Sequence, residues 1–346
     1  MVEIGEYKIK RPQFIIFTDK DGTLNLEDKQ LNHILHLIET MRGMVIPVTG
    51  RTVGDIESDL RKRNIKVPEI IIGDNGSNIY HTKSGEFLIQ RILNHEKVLT
   101  IVDDFLEKGG NKDYIRYTNG RNIFASKTKE VKEYYKNSKM AILQEDICEA
   151  LSKAEDITKI TLAGSKEEME QSAEFVSSLD FWSDRNPTKF PKREYQNYIL
   201  DVSQKDVNKG EAVRSMVAKL KPRYGYMCIG NGYNDLSMFE AAIEDGMIAG
   251  VMGQSSPELI AEVKQYSQER KKGKVMVIPA EKDLANEYIL KMAKLFQSRI
   301  KTEETRKRQE EKRLPNVPRV KVKGIEGINQ RNISRGTGLQ KRNRDR

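Results

Sequence analysis

Two carboxylates two residues apart, Asp19 and Asp21, are the side chains best suited to chemistry in this chain. They follow an apolar run at residues 14–17, which is typical of a buried parallel strand, and the Gly-Thr pair at residues 22–23 predicts a turn. At the carboxyl end of such a strand both acids would lie where open α/β sheets bind ligands. One acid that attacks and one that carries a proton would suit covalent phosphoryl transfer. The alternative is a simple Asp-rich turn, so partners downstream decide between the two interpretations.

Two later segments carry groups that can hold a phosphate. An apolar run at residues 44–48 predicts a second strand, which ends at Thr49 and Gly50. A hydroxyl and backbone N–H groups at a strand end can bind phosphate oxygens. Lys209 begins a helical pattern, and at a helix N-terminus its charge and the helix dipole both favour an anion.

A further segment carries oxygen donors for a metal ion. The apolar run at residues 226–229 predicts another strand, and Asn231 and Asp235 follow it at a strand-to-helix turn. Amide and carboxylate oxygens suit Mg²⁺. The ordered set of groups at four predicted strand or helix ends favours a phosphate site over an accidental Asp-rich turn.

Together these segments resemble the four motifs of the haloacid dehalogenase (HAD) superfamily, in its Cof-like or sucrose-phosphatase-like branch. The matching segments are residues 19–23, 49–51, 209–210 and 230–235. Residues 74–77 are similar to the Asn-Gly-Ala turn of that branch, and the resemblance covers about residues 13–265. It implies an α/β fold, with a Rossmann-like core of parallel sheet flanked by helices and an inserted α+β cap of the C2 type.

The resemblance also implies a role for each residue. Asp19 would be the nucleophile, and Asp21 would be the general acid and then the general base. The phosphate would be held by Thr49, Gly50 and Lys209, and Mg²⁺ by Asp19, Asp21, Asn231 and Asp235. The substrate would be contacted by Asn75, Arg51 and Asn234. For Arg51, an exposed position at a helix N-terminus is an equally good interpretation.

Asn231 departs from the family pattern, in which an Asp at this position is a direct metal ligand. An amide oxygen still ligates Mg²⁺ but removes one negative charge, so we expect weaker or altered metal binding. Because Asp19, Asp21, Thr49 and Lys209 are all present, a working enzyme is favoured over an inactive relative.

The patterning predicts four parts: residues 1–82 as the first part of the core, 83–194 as the cap, 195–298 as the second part of the core and 299–346 as a basic tail. The cap interpretation rests on a helical pattern at residues 98–106, a hairpin around Asn119-Gly120 and a strand at residues 157–162. A strand at residues 198–202 is assigned to the parallel sheet. Trp182 is assigned to the interior or wall of the cap.

Charge is distributed unevenly along the 346 residues. The net charge is +9, but residues 299–346 alone carry sixteen Lys or Arg and six Asp or Glu, so the rest is close to neutral. The tail is poor in large apolar residues, and beyond Leu314 we expect disorder. Two cysteines without a metal-ligand pattern, no signal-peptide pattern and no apolar run near 18 residues favour a reduced, cytoplasmic protein that does not span a membrane.

Two classes of function follow. The first is a Mg²⁺-dependent phosphatase for a small phosphorylated metabolite such as a sugar phosphate, which would bind under the cap. The second is a regulatory or scaffold protein whose basic tail recruits it to nucleic acid or to an acidic partner. The tail has no interleaved aromatic residues and no folded nucleic-acid module is visible. The oligomeric state and the particular substrate are not predicted.

Overall fold

A computed structural model of the chain describes residues 2–4, 6–21, 23, 28–188, 190 and 197–313. The strands are β1 (Val2–Ile4), β2 (Tyr7–Ile9), β3 (Phe14–Thr18), β4 (Gly43–Pro47), β5 (Ile70–Gly73), β6 (Asn78–His81), β7 (Glu86–Gln90), β8 (Ile115–Thr118), β9 (Ile123–Ser126), β10 (Ala141–Gln144), β11 (Lys159–Gly164), β12 (Phe181–Thr188), β13 (Asn197–Gln204), β14 (Tyr226–Gly230), β15 (Ile248–Met252) and β16 (Lys274–Ile278). The α-helices are α1 (Asp28–Thr40), α2 (Val53–Lys62), α3 (His95–Glu107), α4 (Lys129–Tyr134), α5 (Ile147–Ser152), α6 (Lys166–Ser178), α7 (Lys209–Leu220), α8 (Leu236–Glu244), α9 (Pro257–Arg270) and α10 (Lys282–Arg313). Short 3-10 turns lie at Asp74–Gly76, Lys112–Tyr114 and Tyr233–Asp235.

A five-stranded parallel sheet in the order β16-β15-β14-β3-β4 forms the core. A parallel bridge between Val48 and Ile72 joins it to β5, which begins the antiparallel sheet β5-β6-β7. The carboxyl ends of parallel strands meet at one edge of a sheet. The loops after β3, β4 and β14, which carry three of the four motifs, therefore lie together, as the sequence predicts.

Helices cover both faces of the core sheet because successive side chains of each buried strand point to opposite faces. Ile15 and Phe17 of β3 pack in a cluster with residues of α7, α8 and α9. Phe14 and Ile16 pack in a second cluster with residues of α1, α2 and α10. This is the predicted α/β arrangement of a parallel sheet flanked by helices.

The inserted cap is built on a six-stranded mixed sheet in the order β10-β9-β8-β11-β13-β12. The predicted hairpin is confirmed, because β8 and β9 pair antiparallel on either side of Asn119-Gly120. The helix predicted over residues 98–106 is α3, and the strand predicted at residues 157–162 is β11, which begins at Lys159. The cap is therefore an α+β module, as expected.

The cap is larger at its C-terminal side than the sequence predicts. The assignment of residues 198–202 to the parallel sheet is wrong, because β13 pairs antiparallel with β11 and β12 inside the cap sheet. At the other side, β7 pairs with β6 and belongs with the core. The cap sheet and its helices therefore occupy residues 91–204. An apolar alternating strand shows which face it buries but not which sheet it joins, and this is why the boundaries at 82 and 194 were misplaced.

The two faces of the cap sheet differ in chemistry. On β8, β11 and β13, every second residue packs in the apolar cluster with α3, α5 and α6; these residues include Ile115, Tyr117, Ile160, Leu162, Leu200 and Val202. Most of the intervening residues are polar, namely Arg116, Thr118, Lys159, Thr161, Asp201 and Ser203, whereas Ala163 and Ile199 on the same face pack in a smaller apolar cluster. Lys159 donates to the carbonyl of Gly50 in the core at 2.7 Å, so the polar face is the one turned towards the core.

The helix α10 extends the fold past the predicted start of the basic tail. Phe296 stacks on Phe14 with ring centroids 5.0 Å apart, and Ile300 is 8% exposed. The tail assignment beginning at residue 299 is therefore wrong by a few residues, since Met1–Thr302 form one compact unit. The helix continues to Arg313, so the first residues of the predicted tail are helical. The disorder expected beyond Leu314 lies outside the described residues.

No helix in the described part of the chain is long and apolar enough to cross a membrane.

Two truncations distinguish the packed part of α10 from the rest. A chain that ends at Thr302 should have the same free energy of unfolding as the full chain, because it retains Phe296 and Ile300. A chain that ends at Leu295 should lose about 3 kcal/mol or more, since deleting one buried Phe side chain alone costs about 3–5 kcal/mol. Chemical denaturation measures both. A comparable loss of stability in the chain ending at Thr302 would contradict this expectation, because it would show that the removed residues 303–346 stabilise the fold.

Candidate active site

A buried ion pair joins the first and third motifs. Asp19 directly follows β3, and its N–H donates to the carbonyl of Ile229 on β14 at 2.8 Å. Lys209 is the first residue of α7 and is fully buried. Its Nζ donates to Asp19 Oδ1 at 2.6 Å. The strand end therefore fixes the carboxylate, and the helix start supplies its counter-charge.

Asp235 completes this bridge and shapes the fourth motif. Lys209 Nζ also donates to Asp235 Oδ1 at 2.6 Å. The other oxygen, Oδ2, accepts from the backbone N–H groups of Asn231 and Gly232 at 2.8 and 3.0 Å. A Cβ at Gly230 would lie 2.4 Å from that oxygen, so the loop needs glycine here. Both oxygens of Asp235 are thus engaged by protein groups, which fits a positioning role better than the predicted metal ligation.

Burial and neighbouring charges shift the pKa values of Asp19 and Lys209. Burial raises the pKa of Asp19 to about 6, although the nearby Lys209 ammonium acts in the opposite direction. Asp235 and Asp21 both add negative charge that raises this pKa further. For Lys209, burial alone would lower the pKa, but the carboxylates of Asp19 and Asp235 raise it overall. The lysine is therefore charged and pairs with two carboxylates, and Lys20 and Arg51 lie 3.7 and 3.6 Å from Asp21.

The second motif is anchored by backbone hydrogen bonds. Thr49 is buried, and its N–H donates to the carbonyl of Ile72 at 3.0 Å. Its carbonyl accepts from the N–H of Asn75 at 2.9 Å, and its hydroxyl accepts from the N–H of Arg51 at 3.2 Å. The predicted phosphate-binding residue Thr49 and the predicted substrate-binding residues Asn75 and Arg51 are therefore in direct contact.

Asp21 lies at the solvent side of the site, with its side chain 60% exposed. Arg51 Nη1 lies 3.6 Å from Asp21 Oδ1, and the same guanidinium forms a short ion pair with Asp55. Arg51 therefore reaches the site, and the alternative of an uninvolved surface residue is disfavoured. Gly22, the turn residue of this motif, lies outside the described residues.

The oxygen donors near Asp19 fit Mg²⁺ by type. Among the described residues, no group of three or more His, Cys, Asp or Glu side chains is arranged to hold a metal ion. Mg²⁺ is commonly bound through one or two carboxylates together with waters and substrate phosphate. Asp19, the backbone carbonyl of Asp21 and the amide oxygen of Asn231 offer such a set. Thr23 Oγ1 lies 3.5 Å from Asn231 Oδ1, which shows that these two loops meet.

Two cavities lie beside residues of the predicted site. One of about 820 Å³ is lined by Asp21, Gly50 and Arg51 on the core side and by cap residues on the other. A second of about 260 Å³ is lined by Lys209 together with the predicted substrate-binding residues Asn75 and Asn234. Both lie next to the predicted catalytic groups, as a substrate site requires.

Trp182 also lines the smaller cavity and is 47% exposed. The sequence predicts Trp182 either in the interior of the cap or in its wall, and the structure places it in the wall. Phe181 before it packs in the cap's apolar cluster, so alternation along β12 places Trp182 on the opposite face.

Sequence reasoning missed a buried polar cluster between cap and core. Asp74 is fully buried, and its Oδ2 accepts from Thr118 Oγ1 at 2.9 Å and from Thr158 Oγ1 at 3.1 Å. Lys159 Nζ lies 3.6 Å from both Asp74 Oδ1 and Asp201 Oδ2. Burial raises the pKa of Asp74. The alternation of polar residues in β8 and β11 was the signal in the sequence that pointed to this face.

Comparison with known proteins identifies the family. The model for haloacid dehalogenase-like hydrolases matches residues 16–278, so the chain belongs to that family. The resemblance inferred from the four motifs and the enzyme class, a hydrolase, are thereby confirmed. No curated protein matches the chain.

Solved structures share the fold at low sequence identity. A HAD subclass IIB sugar phosphatase, BT4131, aligns with a TM-score of 0.58 and 20% identity, over 80% of this chain and 98% of its own. A haloacid dehalogenase-like hydrolase from Bacteroides thetaiotaomicron aligns with a TM-score of 0.61 and 18% identity, over 80% and 98%. TM0651 from Thermotoga maritima aligns with a TM-score of 0.57 and 19% identity, over 77% and 92%. These likenesses show a common core and cap.

Removing the Asp235 carboxylate from its contact with Lys209 should lower the free energy of unfolding. Asp235→Ala leaves Lys209 with a single partner and two backbone N–H groups without an acceptor. Breaking a buried ion pair from one side costs about 3–5 kcal/mol, and we expect a loss of about 3 kcal/mol because Asp19 remains. Chemical denaturation measures it. Asp103→Ala, on the exposed side of α3, is the control and should stay within about 0.5 kcal/mol of the parent. Equal stability of the two variants would contradict the bridge's structural role.

Proposed function

We propose that this protein is a Mg²⁺-dependent phosphatase that hydrolyses a phosphate monoester through an aspartyl-phosphate intermediate. The observation that carries the proposal is the Asp19 carboxylate, which is held at 2.6 Å by the buried Lys209 and lies near a second acid, Asp21. The first acid is fixed and desolvated, whereas the second is exposed to the larger cavity. Nucleophilic attack and proton transfer need these two different environments.

The phosphate would be bound by groups from three motifs. Lys209 supplies a positive charge, and the Thr49 hydroxyl and the Gly50 N–H supply hydrogen-bond donors. Because these donors are fixed by the sheet edge and the helix start, they stabilise charge on the phosphoryl oxygens without reorganising.

In the first step an Asp19 oxygen attacks phosphorus. Oδ1 is engaged by Lys209, and Oδ2 accepts no hydrogen bond from the described residues, so Oδ2 is the attacking atom. A bond forms between Oδ2 and phosphorus while the ester bond to the leaving oxygen breaks. Asp21 gives its proton to that oxygen, and the product alcohol departs.

In the second step water cleaves the acyl-phosphate. Asp21, now deprotonated, takes a proton from a water molecule whose oxygen attacks phosphorus. The bond between phosphorus and Oδ2 breaks, which returns the Asp19 carboxylate and releases inorganic phosphate. Asp21 thus ends the cycle protonated and ready for the next ester.

Asp19, the Asp21 carbonyl and Asn231 would hold Mg²⁺. When bound, Mg²⁺ supplies positive charge that reduces repulsion between the carboxylate and the phosphate. A cation there would offset the negative charge of Asp19 and of the nearby Asp21 and Asp235 carboxylates. With an amide at residue 231, this metal site carries one negative charge less than the family pattern. Asp235, which the sequence also predicts as a metal ligand, accepts a hydrogen bond from Lys209.

A small phosphorylated metabolite such as a sugar phosphate is the substrate class that the cavities support, and a sugar phosphatase among the structural neighbours agrees with it. Recruitment to nucleic acid or an acidic partner through residues 299–346 stays a prediction, as does a cytoplasmic location. Those residues are described only to Arg313, where they form α10.

Asp19→Asn tests the proposal. The amide keeps the shape of the side chain but cannot attack, so kcat should fall by about 10⁴-fold or more, as in other enzymes that lose a nucleophile. The measurement is phosphate release from a panel of sugar phosphates with Mg²⁺, using protein whose fold is checked by circular dichroism. Asp103→Asn, purified in parallel, is the control for contaminating phosphatases. Near-normal turnover by Asp19→Asn would refute the covalent mechanism.

A further inference from the structure

The larger cavity is where the leaving group would lie, an argument that rests on the proposed function. Asp21 must be next to the leaving oxygen in order to protonate it, and Asp21 lines the cavity of about 820 Å³. Beyond Asp21, the opposite wall of this cavity includes Arg116, Tyr135 and Lys159 of the cap. These cap residues therefore face the part of the substrate that is remote from the reacting phosphate.

Most cations of this cavity already have carboxylate or carbonyl partners. Arg51 pairs with Asp55, and Lys159 donates to the carbonyl of Gly50 and lies 3.6 Å from two carboxylates. Lys62 donates to the carbonyl of Asn137 at 3.0 Å.

Arg116 differs from these residues. Among the described residues it has no carboxylate oxygen within the 4.0 Å of an ion pair. Its Nη1 donates to the Tyr135 hydroxyl at 2.8 Å. Its guanidinium carbon lies 4.8 Å from the ring centre of the buried Phe190. A guanidinium has five N–H donors, so several remain available to a ligand in the cavity.

The surroundings hold this guanidinium in place and keep it charged. Burial would lower the pKa of Arg116, but Tyr135 and Asp201 raise it overall. Asp201 does not neutralise Arg116 by contact, because its Oδ1 accepts from Thr161 at 2.5 Å and its Oδ2 lies near Lys159. The Tyr135 hydroxyl accepts from Arg116, so its own proton is directed elsewhere and can serve the same ligand.

We propose that Arg116, assisted by the Tyr135 hydroxyl, binds a second anionic group of the substrate at the end remote from the phosphate that is removed. A fixed, planar guanidinium matches a carboxylate or a phosphate through two parallel hydrogen bonds. The substrate class is then a phosphorylated compound with an additional carboxylate or phosphate, such as a phosphorylated sugar acid or a sugar bisphosphate, in preference to a neutral sugar monophosphate.

Matched substrate pairs test this inference. We would measure kcat/KM for 6-phosphogluconate against glucose 6-phosphate, which differ in a carboxylate, and for fructose 1,6-bisphosphate against fructose 6-phosphate, which differ in a phosphate. In at least one pair, kcat/KM should be about tenfold or more higher for the member that carries the additional carboxylate or phosphate, as expected for a charged hydrogen-bond pair. The pair that shows the preference identifies carboxylate or phosphate as the second group.

Variants assign the preference to Arg116. Arg116→Gln should reduce the ratio of kcat/KM within the preferred pair by about tenfold, and Arg116→Lys should reduce it less, because the charge remains but the paired donors are lost. Tyr135→Phe should also lower the ratio and gives an independent variant if Arg116→Gln folds poorly. The control is Arg185→Gln: Arg185 is another cap arginine, exposed on β12 and outside this cavity. An absent preference, or a preference that Arg116→Gln leaves intact, overturns the inference while leaving the phosphatase proposal standing.

A binding measurement separates failure of this inference from failure of the phosphatase proposal. Titration calorimetry on Asp19→Asn, with and without Arg116→Gln, would use the same four compounds. Suppose that the parent protein turns over none of these compounds. In that case, tighter binding of a member with the additional carboxylate or phosphate, lost in Arg116→Gln, supports the inference without catalysis. Equal affinity for both members of each pair overturns it.

Discussion

Burial of Lys209 is the constraint on which the rest of the site depends. A fully buried ammonium is stable only with carboxylates against it, and here Asp19 and Asp235 come from the ends of two adjacent parallel strands. The same contacts fix the proposed nucleophile, order the turn that holds Asn231 and place a helix start beside the proposed phosphate position. Because Lys209 and two backbone N–H groups engage both oxygens of Asp235, the bridge also bears on which residues are proposed to hold a metal ion.

The cap adds a second polar layer over this edge. Its sheet buries one face against its own helices and turns the other, with Arg116, Lys159 and Asp201, towards the core. Lys159 donates to the carbonyl of Gly50, and Asp74 accepts from two cap threonines, so the proposed phosphate-binding turn and the cap are held by shared hydrogen bonds. The residues proposed to select the leaving group and those proposed to bind the phosphate are therefore parts of one connected surface.

The sequence predicted the parallel core, the order of the four motifs and the hairpin of the cap because each depends on local pattern: a buried strand, a turn or a helix start. It could not assign β13 to a sheet, because strand pairing is a long-range choice between two apolar surfaces. Metal ligation by Asp235 stays a prediction, because spacing shows which loop a carboxylate occupies but not which groups its oxygens contact. Arg116 was missed because a single arginine on a strand gives no signal in the sequence, and only the structure shows that no carboxylate among the described residues pairs with it. Ile300 was assigned to the tail because its neighbours in the sequence are charged, and a single apolar residue among them does not indicate that it is buried.

Chemical trapping of the intermediate tests the central claim most directly. Protein quenched during turnover of a sugar phosphate would be reduced with borohydride, which converts an aspartyl-phosphate to homoserine, and the modified residue would be located by peptide mass spectrometry. Attack by Asp19 on phosphorus predicts homoserine at residue 19, in an amount that rises and then falls with substrate consumption. Steady phosphate release with no modification at residue 19, or with modification at residue 21, would contradict the account.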